Sequence, residues 1–348
     1  MSGTTDTTSE HTIATLASGP RTGLDRIQHT LHRYPVISPF VVLLISIVVF
    51  TAIGNGRFQR PETLGIILQQ TAVLATLAIG QTIVILTAGI DLAVGTGMLL
   101  THLVMAKVAA DLGAPPMVAL TIGLVVGLAL GAFHGFMVTR VKLPPFIVTL
   151  GTFYIFNSIG LVYSQAQTIS KEAMGGEDTL LLWTGKGIQA GTFRITIGVA
   201  VALALYFVFS YILSNTAWGR HVYATGDDPE AARLAGINTK RVLLSVYVVA
   251  GLIYAIGGWV QLGRSLSASS NAATDINLET ITAVVIGGTS LFGGRGRIWG
   301  TLVGALIVTV FRIGLQLAGV NAYYQNFAIG ALILVAVALD QWIRRVSR

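Results

Sequence analysis

The chain has 348 residues, 53% of them hydrophobic and 11% charged, with a mean hydropathy of +0.74. Soluble domains run at about 25% charged residues, so this composition speaks against a water-soluble enzyme, and its apolar content speaks against disorder. Cysteine is absent, which removes disulfides, Cys-ligated zinc, iron–sulfur clusters and thiol catalysis, and the net charge of +7 has meaning only once it is located.

Residues 1–33 are polar and Ser/Thr-rich, without the apolar core of a signal peptide, and read as a disordered cytoplasmic tail. A membrane helix needs about 20 apolar residues. Seven stretches without Asp, Glu, Lys or Arg have that length: Tyr34 to Gly56, Thr63 to Ile90, Leu112 to Thr139, Leu143 to Ser170, Ile195 to Gly219, Val242 to Gly263 and Ile313 to Leu339. Three shorter uncharged runs, Leu92 to Ala106, Thr280 to Gly294 and Ile298 to Phe311, adjoin single charges. With them, the expected fold is an all-α integral membrane protein of about ten transmembrane helices over residues 34–343, with interrupted helices and a weak internal repeat. With the N-terminus inside, 14 of the 22 basic residues fall in cytoplasmic segments, and both termini, including the basic stretch 344–348, are cytoplasmic. The positive charge then lies beside anionic inner-leaflet lipid, and nucleic acid is not needed to explain it.

The first interruption is expected within Gln81 to Leu99, where Asp91 stands in an apolar block among Gly80, Gly89, Gly95 and Gly97. Glycines weaken helices, and a carboxylate at membrane depth must be paired, wetted or functional. Broken helices are tolerated in membranes only where protein or a cavity surrounds them. The longest external segment, residues 165–192, carries Lys171, Glu172, Glu177, Asp178 and Lys186 around Trp183. It suits either an interfacial loop anchored by Trp183 or a docking surface for an external partner.

The cytoplasmic loop, residues 214–241, contains a short helix signature. Asp228 is a good N-cap, Pro229 takes the first helical position, Glu230 favours the N-terminus, and Gly236 is a stop. A helix of about two turns needs a surface to pack on. Ala231, Ala232 and Ala235 around Leu234 suit insertion into a partner's groove, with Arg233, Lys240 and Arg241 at the rim. A helix lying on the membrane surface is the alternative.

Farther on, Gly287 to Gly296 (GGTSLFGGRG) aligns with Ala88 to Gly97 (AGIDLAVGTG), matching Gly89 with Gly288, Leu92 with Leu291, Gly95 with Gly294 and Gly97 with Gly296. Such Gly-interrupted segments in corresponding positions of a repeat point to a transport site, although small residues also serve close helix packing. Gly89, Gly95, Gly288, Gly293 and Gly294 are the candidate break glycines. Asp275 and Glu279 are placed at the outer end of the eighth span, facing a partner or water. Arg312, about 20 Å into the ninth, is within snorkelling reach of the outer interface. His102 and His134 lack metal-ligand spacing and read as packed, hydrogen-bonded histidines.

Together these segments resemble a family. Glu230, Ala231, Ala232 and Gly236 match the Glu-Ala-Ala, three residues, Gly pattern of the coupling loop of ABC importer permeases. GIDLAVG at Gly89 to Gly95, LPPFIVTLGT at Leu143 to Thr152 and VIGGTSLFGGRG at Val285 to Gly296 are similar to the ribose/xylose/arabinose-type sugar permeases. Arg295 and Arg297 in the glycine-rich segment, and Ala93 where Ser is common, are mild departures. The resemblance covers about Pro35 to Ile343. It implies a plasma (inner) membrane subunit paired with a second permease copy, identical or not, a nucleotide-binding ATPase and an extracellular or periplasmic solute-binding protein. ATP and Mg would be bound on the ATPase, with no cofactor on this chain, and no G-x-x-x-x-G-K-[ST] occurs in the sequence. Asp228, Glu230, Ala231, Ala232, Arg233 and Gly236 would couple to the ATPase. Sugars are recognised by amides, hydroxyls and carboxylates with aromatic faces in an apolar cavity. Candidates for that pathway are Gln81, Thr87, Asp91, Phe153, Asn157, Ser290 and Gln316; Asp91 also suits the cap of a helix that follows it.

Two other readings compete. An ion-coupled secondary transporter would use intramembrane carboxylates, of which only Asp91 is clearly deep. A membrane-embedded transferase would need an acidic or His-rich cluster at the membrane face, and Asp227, Asp228 and Glu230 form the only acidic cluster on the inner side.

Overall fold

The computed structural model describes residues 37–54, 56–272, 275–321, 323–331 and 334. The expected N-terminal tail and the basic stretch 344–348 lie outside the described residues.

The helices, in chain order, are α1 (Ile37–Ile53), α2 (Pro61–Leu86), α3 (Val94–Leu112), α4 (Pro116–Phe136, continued by a π-helical turn, Met137–Val141), α5 (Pro145–Ser164), α6 (Ile197–Asn215), α7 (Ala217–Asp227), α8 (Pro229–Leu234), α9 (Thr239–Ser265), α10 (Ile276–Ile286) and α11 (Ile298–Leu317). Proline supplies the first residue of α2, α4, α5 and α8, where its missing N–H costs nothing. Among the described residues, six helices are long and apolar enough to cross a membrane: α2, α4 with its π turn, α5, α6, α9 and α11. α1 and α10 are shorter apolar helices. The apolar side chains of α1, α4, α5 and α6, such as Val48, Val125, Ile155 and Phe207, are exposed, as a lipid-facing wall requires.

Several expected spans have other bounds. Lys107 and Asp111, which cut short the run Leu92 to Ala106, bond one turn apart at 3.0 Å, and Lys107 Nζ lies 5.3 Å from the centre of the Tyr163 ring. The charges are thus neutralised inside α3, which continues to Leu112. Ile195 to Gly219 is not one span: the backbone turns extended at Thr216, whose hydroxyl caps the Gly219 N–H at 3.2 Å, and α7 starts there. Thr280 to Gly294 is half helix and half loop, because α10 ends at Ile286. Nor is Ile313 to Leu339 continuous. Its first residues finish α11, the chain turns at Gly319 (φ 76°), and helix resumes over residues 323–331.

The middle of the bundle is held by close backbone approach. α2 is enclosed on every side from Thr71 to Leu86. α4 crosses α9 where Gly127 and Gly131 meet Gly251 and Tyr247, so closely that an added Cβ would overlap the partner's backbone. Gly287 and Gly304 bring α10 against α11 in the same way. Small residues allow such contact in a bundle where lipid supplies no hydrophobic drive between helices.

Residues 165–196 form a cap rather than a loose loop. β1 (Ile169–Ser170) pairs antiparallel with β4 (Ser267–Ala268), and β2 (Gly187–Ala190) pairs antiparallel with β3 (Phe193–Thr196). Between them, Leu181 and Leu182 of a 3-10 turn (Leu180–Gly185) are buried with Met174. Trp183 stacks on Trp259 of α9 with centroids 6.0 Å apart, the Trp259 indole donates to the Leu180 carbonyl at 3.0 Å, and the Thr184 hydroxyl donates to the Trp259 carbonyl at 3.0 Å. Trp183 therefore anchors the segment to the helix bundle, with 41% of the residue left exposed.

The bundle thus has a cap end and a loop end. α2 starts beside β3, where the Gln69 amide donates to the Arg194 carbonyl at 3.2 Å. It finishes at the loop end, where the Leu86 carbonyl accepts from the Gly294 N–H at 2.9 Å. That bond also joins the end of α2 to the glycine loop that follows α10.

The register of the repeat is corrected by one residue. α2 ends with Ala88 in the left-handed region (φ 60°), its N–H bonded to Ile85 O and the Gly89 N–H bonded to Val84 O. α10 ends with Gly288 (φ 84°), its N–H bonded to Val285 O and the Thr289 N–H bonded to Val284 O. Both are Schellman caps, so Ala88 corresponds to Gly288 and Gly89 to Thr289. The second loop is also longer before its helix resumes: Gly95 is already inside α3, whereas Gly293 and Gly294 are still loop, with φ 84° and 67°.

Candidate functional site

Three polar features stand out: the short helix at the loop end, the two helix breaks above it, and a cavity at the cap end.

At the loop end Asp228 Oδ1 accepts the N–H groups of Glu230 and Ala231 at 2.9 and 3.0 Å, starting α8 at Pro229 as the capping pattern expects. Gly236 (φ 86°) closes it with a third Schellman cap, the Ile237 N–H bonding to Ala232 O at 3.0 Å. Leu234 is 81% exposed, with Ala231, Glu230 and Arg233 exposed around it. Ala232 departs from expectation: it is buried against its own chain, so it seats α8 and leaves the outward face to its neighbours.

α8 is joined directly to α7, which is wedged under both breaks. Gly226 lies so near the Leu86 carbonyl and the Gly294 N–H that an added Cβ would overlap both, and a Cβ at Gly293 would meet Gly226 and Ala88. The Tyr223 hydroxyl donates to the Gly296 carbonyl at 2.9 Å, and the Trp218 indole donates to the Ser245 hydroxyl at 2.8 Å. Burial pushes the Tyr223 hydroxyl above the usual tyrosine range, against the opposing charge of Arg297, so it stays protonated and keeps this bond. α7 is thus a strut from α8 to both breaks.

Inside the first break Asp91 is fully buried. Its Oδ1 accepts the Ala93 N–H at 2.7 Å just before α3, and its Oδ2 accepts the Tyr254 hydroxyl at 3.0 Å. His134 Nδ1 is 4.0 Å from the same oxygen, while His134 Nε2 is 2.7 Å from the Thr152 hydroxyl and the ring stacks on Phe156. Asp91 therefore organises the start of α3 and ties it to α9. Thr87 donates to Val84 O at 2.8 Å, and the Thr149 hydroxyl reaches Ile90 O at 3.1 Å. In the second break Ser290 N–H bonds to Arg295 O at 2.8 Å. Gln81 is fully buried, and neither amide atom has a hydrogen bond among the described residues. Phe153 and Asn157 lie on α5, half-buried.

The cavity, about 370 Å³, lies at the cap end among α2, α9, α10 and α11. Arg312 of α11 turns into it and pairs with Glu279 of α10, with Asp275 Oδ2 at 3.8 Å. This replaces the expected snorkelling of Arg312, and Asp275 and Glu279 have an internal partner. Gln261 Oε1 accepts from Arg264 Nε at 3.2 Å, and Gln70, Asn271 and Gln316 complete the polar lining against Val73, Leu74, Ile276 and Val308. Of the seven pathway candidates only Gln316 lines this cavity. The others were distributed between the breaks, α2 and α5. Gln70, which follows Gln69, and Gln261 gave little signal in the sequence, being uncharged amides in long apolar stretches. The sequence marks Arg312 and Glu279 singly, and nothing in it pairs them.

Residues 63–337 match a family model described as branched-chain amino acid transport system / permease component. The chain is 45% identical over 335 residues to the fructose import permease protein of Rhizobium meliloti, spanning 96% of this chain and 93% of that one. It is 38% identical over 309 residues to the ribose import permease protein of Bacillus subtilis (88% and 92%). It is 33% identical over 306 residues to the D-allose transport system permease protein of Escherichia coli (88% and 91%). No solved structure matches it.

Proposed function

The chain belongs to the branched-chain amino acid transport system / permease component family, and from that membership we propose that it is the membrane subunit of an ATP-driven importer for a monosaccharide or related polyol. The fructose, ribose and D-allose permeases it resembles over nearly its whole length favour a sugar over an amino acid as cargo. It is a transport subunit and not an enzyme; Mg-ATP is hydrolysed on a partner ATPase. A solute-binding protein delivers the sugar at the cap end, and a second permease copy completes the pathway. The multi-pass chain sits in the inner membrane, with the loop end cytoplasmic, an orientation that the excess of basic residues on that side supports.

One observation carries the mechanism: α8 presents an exposed Leu234 and follows α7 after a single extended residue, Asp228, and Gly226 of α7 is clasped between the two helix breaks. An ATPase gripping α8 moves α7, and α7 cannot move without displacing Leu86 and Gly294 together. A short push is thus converted into a shift of α2–α3 against α10–α11, the packed-helix sliding seen in two-state switches. The carboxylate that an ion-coupled transporter would need is otherwise engaged, since Asp91 accepts the Ala93 N–H ahead of α3 and the Tyr254 hydroxyl.

Reconstitution with its cognate ATPase and binding protein tests the reading. ATP-dependent sugar uptake is expected, and Glu230→Ala or Gly236→Asp should lower uptake several-fold while the ATPase continues to turn over. Undiminished uptake without the ATPase would overturn it.

A further inference from the structure

Polar side chains within membrane helices are unfavourable unless they meet one another, water or a ligand. At the cap end four helices aim such groups at one place. The Arg312–Glu279 pair is satisfied within the cavity, but the amides of Gln70 and Gln316 have no hydrogen-bond partner among the described residues. The volume of about 370 Å³ falls within the range of small-molecule sites, about 300 to 1,000 Å³.

The charges say what kind of molecule fits. Arg264 and Arg312 are balanced by Asp275 and Glu279, so the lining offers no net attraction to a sugar phosphate or to a cation. A zwitterionic amino acid would have to compete with Glu279 for Arg312 and with Arg312 for Glu279. A neutral polyol needs no such separation, because its hydroxyls donate to amide and carboxylate oxygens and accept from amide and guanidinium N–H groups. Its C–H faces would rest on Val73, Leu74 and Val308, since no aromatic ring lines the cavity among the described residues.

We propose, resting on the reading of the chain as a sugar permease, that this cavity is a binding station for the neutral sugar, held by Gln70, Gln316 and the Arg312–Glu279 pair. α10 gives the station its link to ATP hydrolysis. Glu279 lies in its first turn, and its last turn runs into the glycine loop that rests on α7. Displacing α7 therefore moves the Arg312–Glu279 pair relative to Gln70 of α2 and changes the grip on the sugar.

The absence of cysteine makes a direct test possible. Gln316→Cys and, separately, Gln70→Cys would each carry the only thiol of the chain, in the full permease reconstituted with its ATPase. The rate of modification by a small thiol-reactive methanethiosulfonate is measured with a panel of pentoses, hexoses and branched-chain amino acids. One sugar is expected to slow modification at both positions several-fold while its epimers do not, and Ile188→Cys at an exposed position of strand β2 should react at the same rate throughout. Modification unaffected by every sugar, or slowed by an amino acid instead, would overturn the proposal. Uptake by the wild-type complex is scored separately, so protection without uptake would fault the transport reading and leave the station standing.

Discussion

Single backbone positions decide how the helix ends at the loop end are made. Three Schellman caps place a residue in the left-handed region, and two of them use glycine, Gly236 and Gly288, while the third uses Ala88 at φ 60°. A residue with a Cβ is strained there by about 1–2 kcal/mol, partly offset because alanine restricts the unfolded chain. Ala88→Gly should therefore stabilise the permease by up to about 1 kcal/mol. Gly236→Ala should destabilise α8 by about 1 kcal/mol, through strain alone, because a Cβ there meets no atom within 4 Å. Thermal unfolding in detergent reads the first, and hydrogen exchange of the α8 amides reads the second. Equal effects of the two changes would show that φ is not what sets these caps. The same residues explain why the repeat was legible in place but not in register. Glycines were matched with glycines, whereas the structure matches an alanine with a glycine because backbone dihedral, not residue type, is what the two caps share.

At the scale of elements, the capped α8 was readable from Asp228, Pro229 and Gly236, since capping is local chemistry. α7 was not. Its first residues, Ala217 to Gly219, extend the apolar run of α6, and only the Thr216 cap marks the boundary. Its importance comes from tertiary contact, which no local pattern records. The contact is steric: at Gly226 a methyl group would overlap the Leu86 carbonyl, part of a backbone that cannot rotate away. Gly226→Ala should force α7 off the breaks at a cost of about 1–3 kcal/mol, lowering the melting temperature and abolishing uptake. In contrast, Ala224→Ser, at a half-buried position of the same helix, should leave both nearly unchanged. If Gly226→Ala transported normally, α7 would not be the strut. The cavity was hidden for a related reason, because Gln70 and Gln261 are uncharged amides in separate apolar stretches and only the packing of four helices assembles them with Arg312 and Glu279.

For the whole molecule, the two broken-helix pairs must move relative to each other if the push on α8 is to reach the cap end. They are stitched where the Thr82 hydroxyl of α2 meets the Thr301 hydroxyl of α11 at 2.9 Å. Two side chains that close are within reach of a disulfide after small rotations, given usual Cβ separations of about 3.5–4.5 Å. In a chain without other thiols, Thr82→Cys with Thr301→Cys forms a reversible lock between the pairs. The reduced double variant should transport, since the lost hydroxyl contact is worth only about 1 kcal/mol, and oxidation should stop uptake while reduction restores it. ATP hydrolysis by the partner should persist or fall less steeply than uptake, because the lock acts beyond α8. If the oxidised form transported at the rate of the reduced one, the pairs would move as one body, and the stroke would have to reach the cavity by bending of α10 alone.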